Sequence, residues 1–573
     1  MTTPARLILS AFLLVATGAC GDSGEGAPDL VLVGGAVVSP GAEWMPDGAA
    51  LQGYPDGIAV TGGRVSAVGR SEDIRALVGP GTRVVELAGR SVLPGLADNH
   101  LHSTGGGGGV DLSRSRTLQE VYDAIARRTE AVGNGGVIIT NSDWHEGQLA
   151  EQRLPYRDDL DRAAPDHPVV VVRGGHEYIL NSAALDRWDI DEGTADVSGG
   201  RIGRYSDGRL NGELVDRAKD LVSLPPRPEV SDDAAQTALE AQYSTLNRRG
   251  LTSVRHPGGA PEQLDRIRRL DAEGRLTMRV DFLFRAPRSG SPGAVAQAIA
   301  SWPEPPSTDE RNRSASVDLV RVEGVKLGVD GGFEGGLMRT PYEEPWGEGG
   351  SFYGLQTVPR EPFLESVQLL ADAGWRVATH AVGDAAIDLV LDAYEMVDRT
   401  SSLDGNRWVI EHGFIPRPDQ FERMRSMGLA VSAQNHLYLA APSLVEYWGA
   451  DRAGWTTPLR AYLDAEIPVS LGTDAPVVPY DPWWVLHHFT TRGTISAGVV
   501  GEDQAVSRLE ALQAMTSGYA WLTFSEDQRG TLDVGKHADL IVTGEDFLGC
   551  PDPCLETMEV DLTMVGGRIA WER

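Results

Sequence analysis

Two histidines stand one residue apart in LPGLADNHLH, at His100 and His102. On a strand, an i, i+2 spacing directs both imidazoles to the same face. His380 follows in RVATHA, His412 in RWVIEH and Asp474 in LGTDA, each where a short apolar run turns polar. Imidazole and carboxylate are ligands for zinc-like divalent metals. A sixth group is an amine. The chain has 51 basic residues, yet only Lys219, Lys326 and Lys536 are lysine, and Lys326 stands in the apolar run RVEGVKLGVDGG. A buried lysine near other cations can lose its proton, whereas arginine effectively cannot. One histidine alone would read as a hydrogen-bonded structural residue, and Lys326 alone as the partner of a buried Asp330 or Glu323. Six such groups in an ordered series point to a metal site.

The elements that must position them are legible as eight apolar runs. These are SVLPGLADNH, GLTSVRH, TMRVDFLF, VEGVKLGVD, RVATHA, RWVIEH, LAVSAQNH and IPVSLGTDA. Amphipathic segments such as PFLESVQLLADAG, AAIDLVLDAYEMVD and PDQFERMRSMG alternate with them, the pattern of βα units around a parallel sheet. Eight strands predict a (β/α)₈ TIM-like barrel, whose C-terminal strand ends converge on one mouth. Residues 103–249 separate the first strand from the second, too long a stretch to lack structure of its own, so an inserted subdomain is expected. Short alternating strands with Gly-Gly turns recur at both ends of the chain, predicting a composite β-sandwich from residues 29–90 and 530–573 around a barrel at 91–529.

Bulk properties narrow the function. The 573 residues exceed a single core, and the net charge of −31 argues against nucleic acid, which needs a basic face. Arg6 precedes the apolar run LILSAFLLVA, and small residues then lead to Cys20, which predicts a signal peptide over 1–19. The cysteine resembles the lipidated residue of bacterial lipoproteins, with 20–28 as a tether, so the protein is expected to be exported and lipid-anchored at the periplasmic or outer surface. In an exported chain, Cys550 and Cys554 of CPDPC are candidates for a small-loop disulfide.

The chain resembles the amidohydrolase superfamily, and within it the amidohydrolase-3 branch of YtcJ-like metal-dependent hydrolases, which includes N-substituted formamide deformylases. The resemblance rests on LPGLADNHLH, SDWHEGQ, GGHEYILNSAAL, GVKLGVDGG, THAVGDAAID, VIEHG, SAQNH, LGTDAPVVPYDPW and the closing GTLDVGKHADLIV, in that order. It implies one divalent metal held by His100, His102 and Asp474, and a second held by His380 and His412. Two Zn²⁺ ions bridged by a carboxylated Lys326 are the expected cofactor. Asp474 is expected to serve also as general base and then acid while metal-activated water cleaves a C–N bond of an amide or formamide-like substrate. Trp144, His176 and His436 are expected to reach the substrate, His176 at the developing oxyanion. The expected partner is a small molecule, with membrane contact only through the anchor, and with room for a homodimer.

Other readings make distinct demands. A mononuclear deaminase of the same superfamily would carry a glutamate after His380-Ala381, where this chain has Val382-Gly383-Asp384. An esterase or lactonase would use the same ligands. A non-catalytic lipid-anchored binding protein would need two lobes joined by hinge strands rather than ligands converging on one barrel.

Overall fold

The computed structural model describes residues 26–42, 54–133, 135–226, 230–307, 310–311 and 318–573. The expected signal peptide and Cys20 lie outside the described residues.

An eight-stranded parallel sheet forms the centre: β1 (Leu96–Asp98), β2 (Leu251–Gly259), β3 (Arg279–Arg285), β4 (Val320–Gly328), β5 (Val377–Ala381), β6 (Val409–His412), β7 (Ala430–Gln434) and β8 (Val469–Gly472). The strands are hydrogen-bonded in chain order. Leu101 bridges Ala475, and the Asp474 N–H donates to the His100 carbonyl at 2.7 Å, so β8 returns to β1 and the sheet nearly closes. This is the (β/α)₈ barrel. Helices Arg360–Asp372, Asp384–Asp398 and Pro418–Ser426 cover its outside. The second of them buries Ile387, Val390, Leu391, Tyr394 and Val397, spaced three or four apart, which is why it lies flat on the sheet. Each such side chain contributes roughly 1.5–3 kcal/mol by leaving water. The lower barrel interior is charged but paired: Arg321 meets Asp281 at 2.5 Å and Arg376 meets Glu323 at 3.2 Å. Glu323 is therefore engaged away from Lys326.

The run SVLPGLAD divides at Gly95. Ser91–Pro94 pairs with Leu540–Thr543 in a five-stranded sheet with strands from both ends of the chain, and only Leu96–Asp98 joins the barrel. A Cβ at Gly95 would lie 2.3 Å from the Thr252 side chain, so the crossing between sheets requires glycine. The sandwich thus extends four residues past the expected boundary at 91. Its second sheet has four strands (64–69, 57–61, 30–33, 83–86). Leu32, Ile58 and Val92 meet Leu540, Leu562 and Met564 in one core built from both ends of the chain.

The stretch between β1 and β2 carries its own five-stranded sheet, including Val169–Arg173, Glu177–Leu180 and Leu210–Asp216. Cys550 and Cys554 form a disulfide packed against the main core.

Candidate metal centre

His100 and His102 lie just beyond β1 rather than on it. The Asp98 carboxylate accepts from the His100 N–H at 3.0 Å and from the Thr473 hydroxyl at 2.6 Å, a local side-chain turn that ends the strand. The two rings nonetheless meet one acceptor: Nε2 of His102 is 3.2 Å and Nε2 of His100 3.5 Å from Oδ1 of Asp474. His380 on β5 and His412 at the end of β6 have ring centroids 4.6 Å apart, and His100 and His412 rings are 4.7 Å apart. Lys326, on β4, places Nζ 3.4 Å from Nε2 of His100. Asp330 is occupied elsewhere, accepting from the backbone N–H of Leu337 and Gly383 at 3.0 Å each. The structure therefore brings His100, His102, Lys326, His380, His412 and Asp474 to one mouth, and Lys326 takes neither of the structural carboxylate partners considered for it.

The surrounding groups fix which ring nitrogens face the site. His100 donates from Nδ1 to Glu411, 2.7 Å away, and Glu411 is held in turn by Arg255 at 2.5 Å; all three are buried. His412 donates from Nδ1 to Oε1 of Gln434 at 2.6 Å. His380 is 3.1 Å from the Gly331 carbonyl through Nε2. Each histidine thus keeps one lone pair for the site, the arrangement by which outer partners orient metal ligands. Sequence reasoning missed Glu411 and Gln434. An acid in the apolar run RWVIEH was the available signal for Glu411.

The electrostatics suit cation binding. Burial, reinforced by Lys326, holds His100 down at about 4, so its imidazole is neutral and a ligand. Burial also lowers Lys326 to about 8, within reach of the neutral amine. Burial pushes Asp474 up, but the surrounding imidazoles, His100 foremost, outweigh it and hold the carboxyl well below its ordinary range. Oδ1 of Asp474 is buried without a conventional hydrogen-bond donor. An anionic oxygen short of donors, neutral imidazoles and a near-neutral amine form a donor set that fits divalent metal. His100, His102 and Asp474 offer one triad of clustered donor atoms, and His412, His436 and Asp474 a second.

The three residues expected at the substrate line the same mouth with different roles. His436 opens helix His436–Gly454 and lies 3.1 Å from Oδ2 of Asp474 through Nε2. His176 comes from the insertion, stacks on His380 at 5.4 Å and donates from Nδ1 to Asp216 at 2.6 Å. Asp216 holds φ 47° and ψ −114°, a strained conformation for a side-chain-bearing residue. The dyad reaches the barrel because of the glycines after β4: a Cβ at Gly331 would lie 2.0 Å from Asp216 Oδ2, and one at Gly332 2.8 Å from His176. Trp144 is buried, donates from Nε1 to the Val172 carbonyl at 2.8 Å and packs in the insertion's core, with its edge on the cavity. His256 and His488 each have one ring nitrogen engaged off the site, by Gln263 at 2.8 Å and the Gly493 carbonyl at 2.9 Å.

Comparison with known proteins agrees with this geometry. The amidohydrolase family profile matches residues 83–570. The chain is 28% identical over 528 residues to an N-substituted formamide deformylase of Arthrobacter pascens, covering 90% of this chain and 95% of that one. It is 28% identical over 510 residues to Protein LONG AFTER FAR-RED 3 of Arabidopsis thaliana, covering 85% and 84%. In fold it is similar to an uncharacterized metal-dependent hydrolase of Pyrococcus horikoshii OT3, with a TM-score of 0.62 and 21% identity over 91% of this chain and 99% of that one. A barrel whose mouth gathers four histidines, an aspartate and a lysine, matched along nearly its whole length, belongs to the amidohydrolase family of metal-dependent hydrolases.

Proposed function

We propose that the protein hydrolyses a C–N bond of a small amide or formamide-like substrate with two divalent ions, Zn²⁺ being the ion the donor set suits best. The observation that carries this reading is Lys326: a buried amine 3.4 Å from His100, without a carboxylate ion-pair partner among the described residues, at the convergence of the other five groups. His100, His102 and Asp474 would hold one ion, His380 and His412 the other, and Lys326, carboxylated on its neutral amine, would lie between them. When bound, the ions polarise a carbonyl oxygen and acidify water. The chain's own groups do the rest. Asp474 is ionised and central, placed to accept a proton from the attacking water and pass it to the leaving nitrogen. His436, within reach of Asp474, keeps that carboxylate oriented. His176, held through Nδ1 by the Asp216 carboxylate, would as its imidazolium donate from Nε2 to the oxygen on which negative charge develops. Trp144, Phe333 and Phe414 exclude water from one side. The 28% identity to the formamide deformylase supports an amide over an ester. The eight-stranded barrel offers no pair of hinged lobes, which weighs against a solute-binding protein.

The test is metal analysis of the purified full chain together with assay on N-substituted formamides and acyl amides. Two divalent ions per chain, with hydrolysis lost on chelation and restored by Zn²⁺, are expected. Hydrolysis that survives complete metal removal would refute the reading. Lipid anchoring through Cys20 and export remain proposals resting on residues 1–28 alone, tested by mass analysis of the mature N-terminus.

A further inference from the structure

The cavity at the barrel mouth has two arms that share His176, His380, His412 and Asp474. The inner arm is lined by Trp144, Phe333, Val382, Phe414 and Val477. Its cation, Arg173, is neutralised by Glu146 at 2.6 Å and Glu334 at 2.8 Å. The outer arm is larger, about 690 Å³, and differs in kind. Arg285, Arg288 and Lys219 all line it. Arg285 ends β3 and pairs in parallel register with Lys326, which sets it beside the metal centre. Arg288 follows three residues later on the same wall, and both arginines are exposed within this cavity. Lys219 approaches from the insertion, donating to the Gly175 carbonyl with its Nζ 5.2 Å from the Tyr178 ring centroid.

The acids on this wall are already engaged. Asp216 accepts from His176, and Asp220 lies 3.6 Å from Arg217. Among the described residues no carboxylate forms an ion pair with Arg285 or Arg288, and burial, with Arg288 adding to it and Asp474 opposing, lowers Arg285 from its ordinary value. In a chain with 82 acidic and 51 basic residues, carboxylates to neutralise two neighbouring guanidinium groups are in surplus. A pair left open beside a catalytic centre is a preformed receptor for an oxyanion, which guanidinium binds through paired, charge-assisted hydrogen bonds.

We propose that the outer arm binds an oxyanion group of the substrate through Arg285, Arg288 and Lys219, so that the substrate is an amide carrying an apolar group on one side of the scissile carbonyl and a carboxylate or phosphate-like group on the other. The word amide rests on the proposed function; the anion subsite rests on these three cations. Neither arginine is among the groups that would hold metal, although Arg285 adds to the lowering of Lys326, and no step assigned to Asp474 or His176 uses them.

Calorimetric binding separates the two ideas, because it needs no turnover. The probes are phenylacetylglycine, its neutral carboxamide and its phosphonate counterpart, titrated into the metal-loaded full chain with metal content measured. The wild type is expected to bind an acidic probe at least about tenfold more tightly than the carboxamide. That preference should fall toward unity in an Arg285→Gln/Arg288→Gln chain of equal metal content. Arg288→Gln and Lys219→Gln singly should each lower it severalfold, and Arg285→Lys should keep part of it, so the test holds even where the double variant folds poorly. The acid with the larger preference identifies the group bound. Equal binding of acid and carboxamide by the wild type, or a preference untouched by every variant, overturns the subsite. Preferential binding without cleavage of any probe would count against amide hydrolysis and leave the subsite standing.

Discussion

The two arms of the cleft are built from the same parts and solve different problems. Both take one wall from the insertion and one from loops after barrel strands. In the inner arm, Arg173 is buried against two glutamates and within 2.7 Å of His145, so its charge is spent inside the protein and the exposed lining is aromatic and aliphatic. In the outer arm, Arg285 and Arg288 have no such partners among the described residues and line the cavity. Charge alone therefore does not say where a binding site lies. A guanidinium ringed by carboxylates is a structural strut, and one without them is a receptor. Lys326 sits at the junction and belongs to neither class, because burial lowers it to about 8, within reach of the neutral amine.

The largest expected effect breaks the junction itself. Lys326→Arg should lower hydrolysis by at least about a thousandfold and reduce bound metal, since the permanently charged guanidinium cannot take up CO₂ and would repel cations. Activity assay with metal analysis checks it, and full activity would dismiss the bridging role. Asp474→Asn should cost about 10²–10⁴ in kcat by removing the proton acceptor. Bound metal in that variant separates loss of a base from loss of a ligand. Asp216→Asn should cost less, about 10–100-fold in kcat, because it removes only the charge partner and aim of His176. A matching rise in KM with kcat unchanged would instead make the dyad a binding device.

Much of this was legible in the sequence, and the failures have physical reasons. Strand ends could be read because a buried parallel strand is a continuous apolar run, and a polar residue at its end has only the barrel mouth to face. HxH, the lone lysine in RVEGVKLGVDGG and the aspartate in LGTDA stood out for that reason. The pairing of Glu411 with His100 was hidden because the two are 311 residues apart, brought close only by barrel closure. Asp216 lies 40 residues from His176 within a sheet whose register no local pattern announces. Arg285 was invisible because arginine supplies nearly all of the chain's positive charge, and only the absence of a partner distinguishes it. The division of the first strand at Gly95 required knowing that Thr252 stands 2.3 Å from where a side chain would be.

Smaller perturbations sharpen the contrast between the arms. Phe333 lies in the inner arm against Phe414 and His436, with ring centroids 5.6 and 5.4 Å away. Phe333→Ala should raise KM about tenfold for substrates with a phenyl or larger apolar group, and change the preference for acidic over neutral probes little. A variant that loses the acidic preference as well would show that the arms are not independent.

The smallest effect is a slope. His145 is buried at the closed end of the inner arm, and burial, with Arg173 adding to it and Glu146 opposing, holds it at about 3 instead of 6.5. The folded state therefore leaves this ring neutral between those values while the unfolded chain protonates it. Where the unfolded state binds more protons, stability rises with pH, so acidification from 6.5 toward 3 costs stability, by up to about 1.4 kcal/mol per pH unit for this one group. Glu146, lowered to about 2, adds to the loss only below its ordinary 4.5, so the interval from 6.5 down to 4.5 isolates the histidine from it. Denaturant unfolding of His145→Gln across that interval should show a shallower dependence on pH than the wild type. Identical slopes would mean that His145 gains its proton in the folded state too, and that the inner arm carries a positive charge after all.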